Sequence, residues 1–272
     1  MQNQGNKQAA ELERYPLTPK RFKWYLAIVI FIVVGLYILS AIQTRAYPDR
    51  VIEGLPIIFL FVVEDLWPPN WGYFNRVALS LIETWNMALF STTFSMIFAL
   101  PFSFLAASNV NRNKYFYQSV RVFLNFLRTI PEIILAVLFV ALVGIGAVSG
   151  ILALTVFSLG ILAKLVSETI EAIDPGPLDA IRASGGNSLQ VIMFGIMPQI
   201  LPQFASYTLY VLEINVKASV VLGFVGAGGI GIILRQQLNM FNFDNVATII
   251  LVTFLAISLI DFVSNSIRRR LE

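Results

Sequence analysis

The sequence predicts an all-α integral membrane protein with about six transmembrane helices, and three observations carry that prediction. Of its 272 residues 57% are hydrophobic and only 13% charged, about half the charge of an ordinary soluble domain. The mean hydropathy of +0.75 is concentrated in separate runs long enough to cross some 30 Å of hydrocarbon at about 1.5 Å per residue. The four tryptophans, Trp24, Trp67, Trp71 and Trp85, stand at the ends of such runs, where bilayer interfaces favour them. Cysteine and histidine are absent. That removes disulfides, thiol nucleophiles, imidazole bases and the common zinc sites.

Residues 1–23 are polar and read as a cytoplasmic tail. Trp24–Ile42 is an uncharged run of span length, longer than a signal-peptide core and therefore a retained helix. Leu55–Val63 is too short to cross and is expected to lie along the outer interface, so residues 24–75 group as a first helix plus an interfacial segment. The core is expected over 76–266. Its first span, about Ile82–Ala107, carries Thr84, Asn86, Ser91, Thr92, Thr93, Ser95 and Ser103, small polar side chains that suit a helix packed within a bundle. Val120–Val143 is expected as one span kinked at Pro131. After a Gly/Ser turn comes Ile151–Ile173, polar at its end through Lys164, Glu168 and Glu171. The next span is expected from Ile200 to Val225 and the last from Val246 to Val263, followed by a short tail, 267–272.

Six spans place both termini on one side. That side would hold Lys7, Arg14, Lys20, Arg21, Lys23, Arg112, Lys114, Arg121, Arg182, Arg268, Arg269 and Arg270, and the other Arg45, Arg50, Arg76 and Arg235. Twelve against four puts the termini in the cytoplasm. Arg268–Arg270 then reads as a topology anchor, with no nucleic-acid partner called for.

Between the fourth and fifth spans lies a polar island, Asp179–Pro202, with helical periodicity. A helix over 177–184 would pair Asp179 with Arg182, and Gly185 and Gly186 would end it by permitting positive φ. A short helix Leu189–Met197 would follow, with Pro198 opening the next. An ordered cytoplasmic segment of this kind is either a docking surface or a connector. Gly223, Gly226, Gly228, Gly229 and Gly231 weaken any helix through them and suit close packing, a broken helix serving as a gate, or both. Lys217 is an ionisable group within a span, which faces a partner or a cavity. Glu213, four residues earlier, would give a helical ion pair; alternatively Lys217, with Asn215 and Ser219, lines the path of an anion. Lys164–Glu168 and Arg128–Glu132 are expected as structural pairs near the inner interface. No phosphate-binding GxxxxGK[ST] loop, HExxH or GxSxG occurs, so any ATPase is another chain and a membrane enzyme finds no support.

The island resembles the EAA loop of ABC importer permeases, whose pattern is Glu-Ala-Ala, three residues, Gly, nine residues, Ile, one residue, Leu-Pro. Here Asp179-Ala180-Ile181, Gly185 and Gly195-Ile196-Met197-Pro198 take those places, with Asp for Glu, Ile for the second Ala, Gly for Ile and Met for Leu. Glu168–Pro177 (ETIEAIDPGP), Glu213–Ser219 (EINVKAS), Val225–Gly231 (VGAGGIG), Thr84–Thr92 and Pro101 together are similar to the permease subunit of phosphonate importers, over about residues 67–266. The glycine run is shared with methionine-type importers. The resemblance implies the type I ABC importer permease fold and a coupling loop, 174–198, seated on a cytoplasmic ATPase that carries the ATP and Mg. It also implies a second copy forming the pore, a periplasmic substrate-binding protein, the inner membrane as the location, and a small phosphorus oxyanion (phosphonate, phosphite or phosphate) as cargo. The alternatives are another solute such as an amino acid, or a channel or secondary carrier working without a partner.

Overall fold

The computed structural model describes residues 20–271 except Ala46 and Arg112; the expected tail charges Lys7 and Arg14, and Arg112, lie outside the described residues. Contacts divide the chain into two units, residues up to Glu64 and residues from Asp65 on. The first holds α1 (Lys20–Thr44), a 25-residue helix apolar around its whole circumference, as a helix surrounded by lipid should be. It also holds α2 (Pro48–Leu60), opened by Pro48 in its first turn and running into a π-turn, Phe61–Asp65. At 13 residues, α2 is about 20 Å long, short of a bilayer core.

The second unit begins with a 3-10 turn, Trp71–Tyr73, capped by Asn70, whose side-chain oxygen accepts the Gly72 N–H at 3.0 Å. That cap starts α3 (Phe74–Ala106) eight residues before the expected Ile82. The small polar residues of α3 do two jobs. Ser91 and Ser95 bond back to the carbonyls four residues earlier and also across to those of Ile151 and Thr155, at 3.2 and 3.0 Å.

The expected kinked span is instead two helices, α4 (Lys114–Thr129) and α5 (Glu132–Val143), meeting at 87°. Pro131 holds Ile130 in extended backbone, as a residue before proline prefers, and the chain turns a corner there. Arg128 and Glu132 fall on the two arms, and the expected ion pair between them does not form. Gly144 and Gly146, at φ 103° and 141°, make the turn into α6 (Ala147–Ala172). Ser149 tightens it by donating to the carbonyls of Gly144 and Gly146, which starts the helix four residues before Ile151.

α7 (Gly176–Ala183) and α8 (Ser188–Val225) follow, then α9 (Ile230–Asn239), where no helix was expected, and α10 (Phe243–Leu271). The expected short helix 189–197 and a fresh start at Pro198 are not separate. Ser188–Gln190, a π-turn at Val191–Ile196 and Met197–Leu222 run on without a break. The wider turn accommodates Pro198, which has no N–H to donate.

α6 is the axis of the unit, packed by α3, α4, α5 and α8. One core lies at the end holding the α6–α8 connection (Leu124, Leu162, Val166, Ile170, Leu178, Ile196, Ile200); a second, at the opposite end, joins Leu135, Leu154, Leu222 and Ala227. Gly160 permits close approach of α4: a Cβ there would stand 3.1 Å from the Arg128 backbone nitrogen. Among the described residues five helices are long and apolar enough to cross a membrane, or six spans if α4 and α5 together make one.

Candidate functional site

The connection from α6 to α8 is built from local caps together with a stitch and an apolar anchor to α8. Asp174 accepts the Gly176 N–H at 2.9 Å, while the Gln199 amide exchanges hydrogen bonds with the Asp174 backbone. This stitches the Asp-Pro-Gly-Pro lead-in to α8. α7 then ends in a Schellman motif: the Gly186 N–H reaches the Ile181 carbonyl, and that of Gly185 reaches Arg182. Gly185 supplies the positive φ, 85°, that this motif requires. Gly186 does not; it is needed because a Cβ would lie 2.5 Å from the Ile181 side chain and 2.8 Å from its carbonyl oxygen. Asn187 restarts the chain with a capping box to Gln190.

Leu178 is the anchor, buried against α8, and Gly195 lets it and Ile181 approach closely. Around that anchor Asp179, Ala180 and Arg182 are exposed, with Asp179 and Arg182 paired at 3.0 Å. More telling are residues the sequence did not single out. Leu189, Met193 and Phe194 stand 67%, 55% and 73% exposed on the first turns of α8. Phe194 borders a cleft of about 480 Å³ with Ala180, Ile181, Gly185, Gly186 and Gln190. The i, i+4, i+5 spacing of these apolar side chains, in a segment with nothing left to bury, was the available signal.

The four polar residues named for α8 separate into two faces. Asn215 and Ser219 are fully buried. The Asn215 side-chain oxygen accepts from the Ser158 hydroxyl at 2.7 Å, and its amide donates to Thr92 at 2.9 Å, so it ties α3, α6 and α8 at one point. Ser219 bonds back to the Asn215 carbonyl. Glu213 and Lys217 point elsewhere, toward α10. Lys217 pairs with Glu213 at 2.7 Å and with Asp261 at 3.0 Å, and Arg268 reaches Glu213 at 3.6 Å while lying over the Tyr210 ring. Arg268 is thus part of a neutral four-charge network between helices, beyond the topology anchor expected of it.

The glycine run breaks the helix and packs it closely at once. Gly226, Gly228 and Gly229 all have positive φ. Gly223 and Gly231 face one another, and a Cβ on Gly231 would lie 2.1 Å from the Val220 carbonyl oxygen. The loop docks on two other helices: the Ile230 N–H donates to the Thr84 hydroxyl at 2.8 Å, and the Gly146 N–H to the Gly226 carbonyl at 2.9 Å.

Residues 99–272 match the family of binding-protein-dependent transport system inner membrane components. The chain belongs to this family. The phosphite transport system permease protein PtxC of Stutzerimonas stutzeri is 38% identical to this permease over 81% of the present chain and 80% of its own. The putative cryptic phosphonate transport system permease protein PhnE2 of Escherichia coli is 43% identical over 43% of the present chain and 97% of its own. Among solved structures, an inward-facing conformation of the MetNI methionine ABC transporter aligns with a TM-score of 0.67 and 27% identity, covering 75% of this chain and 99% of that one. The permease is therefore a multi-span inner-membrane protein with the ABC importer permease fold.

Proposed function

We propose that this permease imports a small phosphorus oxyanion, driven by ATP hydrolysis on a separate cytoplasmic ATPase that binds the nucleotide and Mg. The observation that carries the coupling is the 174–198 segment: a rigidly capped helix–turn–helix presenting Leu189, Met193 and Phe194 to solvent. Exposed apolar side chains on an ordered polar segment fit a partner surface. Phosphite, phosphate and phosphonate permeases at 36–43% identity support the cargo class, against 27% for a methionine permease. Two copies of the chain would enclose the path, a periplasmic binding protein would deliver substrate, and both termini would be cytoplasmic. The chain itself performs no catalysis in this reading.

The test uses the permease reconstituted with its ATPase and binding protein. Phe194→Asp should insert and melt like the parent, and Gly185→Arg should insert with a somewhat lower melting temperature because of its positive φ, yet both should lose ATPase co-purification and substrate-stimulated hydrolysis. Undiminished coupled hydrolysis in both would overturn the docking role. Calorimetry of the binding protein against phosphite, phosphate, methylphosphonate and methionine decides the cargo, and binding of methionine alone would replace the oxyanion reading with the amino-acid one.

A further inference from the structure

α4 has two unlike faces. Phe116, Val122, Phe123 and Phe126 are exposed on one. Lys114, Gln118, Arg121, Asn125 and Arg128 recur at helical spacing on the other. The polar face meets a matching stripe on α6, Lys164, Glu168 and Glu171, around a cavity of about 280 Å³. Going inward from the end nearest the 107–113 loop, the two cations that line this cavity, Arg121 and Lys164, are each compensated. Arg121 pairs with Glu171, which also accepts from Ser108. Lys164 pairs with Glu168 at 3.8 Å and donates to Asn125 at 3.0 Å.

Arg128 stands one step further along the stripe and is different. Its backbone nitrogen packs on Gly160, the fourteenth of the 26 residues of α6, about 20 Å from either end of that helix. It is therefore at mid-depth. It is exposed, and among the described residues no ion pair, hydrogen bond or ring contact engages its side chain. Glu132, the nearest carboxylate in sequence, is carried away by the 87° corner. A bare guanidinium facing hydrocarbon at the centre of a bilayer is costly and calls for a partner or a water-filled cavity. Its place on the polar stripe, opposite the phenylalanines, points it to water or an anion.

We propose that the α4–α6 groove is the inner half of the translocation path and that Arg128 is its mid-depth contact for the oxyanion. This rests on the cargo class proposed above. The guanidinium fork matches two oxygens of a tetrahedral phosphorus anion. Arg121 and Lys164, beyond it, are already paired, so they ease an anion toward the cytoplasm without holding it.

The test uses the full complex in proteoliposomes with labelled phosphite and inorganic phosphate as probes. Arg128→Gln should lower uptake about tenfold to a hundredfold, the scale of one lost charge-assisted contact. Arg128→Lys should fall between it and the parent, with melting temperature and complex assembly unchanged. Because the chain has no native cysteine, Arg128→Cys and Phe126→Cys test the geometry independently of uptake. A membrane-impermeant thiosulfonate applied from the cytoplasmic side should label the first and not the second. Full uptake by Arg128→Gln, failed assembly that Arg128→Lys restores, or an inert cysteine at 128 would each overturn the proposal. If the parent complex takes up neither anion, the cargo class fails, and the labelling pattern still decides the path.

Discussion

Gly231 offers the sharpest steric test of the glycine loop. Replacement by alanine places a methyl 2.1 Å from the Val220 carbonyl oxygen, 2.8 Å from the Gly223 Cα and 3.1 Å from the Gly223 nitrogen. All three are backbone atoms, so no side-chain rotation relieves them, and the two arms of the loop must part by more than about 1 Å. Overpacking of this kind costs about 1–3 kcal/mol or more. The higher helix propensity of alanine returns at most about 1 kcal/mol, which leaves a net loss. Separating the arms also strains the Ile230 N–H to Thr84 bond. Gly35→Ala is the control: also in a helix, but with nothing within 4 Å of the added Cβ, so it should be neutral or slightly stabilising. Thermal unfolding in detergent, followed by size-exclusion chromatography after heating, reads the difference. Equal melting of the two variants would refute the close-packing account and leave the glycines only their conformational role.

Asn215→Ala should destabilise by about 1–3 kcal/mol, since it removes two interhelical hydrogen bonds worth on average about 0.6 and at most about 1.7 kcal/mol each in a membrane and strands the Ser158 hydroxyl; unchanged melting would show that the triple junction is held by apolar packing alone. For the α8–α10 network, Glu213→Gln and Arg268→Gln should each lower the melting temperature, with the double variant losing less than their sum. A double-mutant cycle would give a coupling of about 0.5–3 kcal/mol, and strict additivity would dissolve the pairing across 3.6 Å.

What could be read from the sequence was the chemistry that acts within one turn of helix. Gly185 and the spacing of Asp179 and Arg182 were legible because caps and turns depend on neighbours in the chain, and the structure shows those elements with small shifts, whereas Pro198, expected to open a helix, lies within the continuous α8. Pro131 was legible as a break but not as an 87° corner, because that angle is set by where α4 and α5 both press on α6, with Gly160 opening the space. Asn215 and Lys217 invited grouping by adjacency; two residues on a helix are some 200° apart, and the structure sends them to α3 and α6 on one side and α10 on the other. The link from Glu213 to Arg268, 55 residues on, left no local trace at all. Nor did the want of a partner at Arg128, since i, i+4 spacing to Glu132 promised a pair that only the three-dimensional corner prevents.

The coupling reading places a mechanical demand on α8. Its 38 residues, Ser188–Val225, make a rod of about 57 Å, nearly twice the hydrocarbon thickness of a bilayer. The exposed apolar cluster 189–194 lies at one end, the Asn215 junction and the charge network lie along it, and the Gly223–Gly231 packing lies at the other. A displacement imposed at the first end cannot be absorbed by a loop, because none interrupts the rod; its irregularities before the glycine break are the π-turn at 191–196 and Pro202 inside the helix. The junction at Asn215 fastens α8 to α3 and α6, so those three helices should move as one body. In that reading the junction acts as a fulcrum, so its loss should uncouple hydrolysis from transport even where the protein still folds.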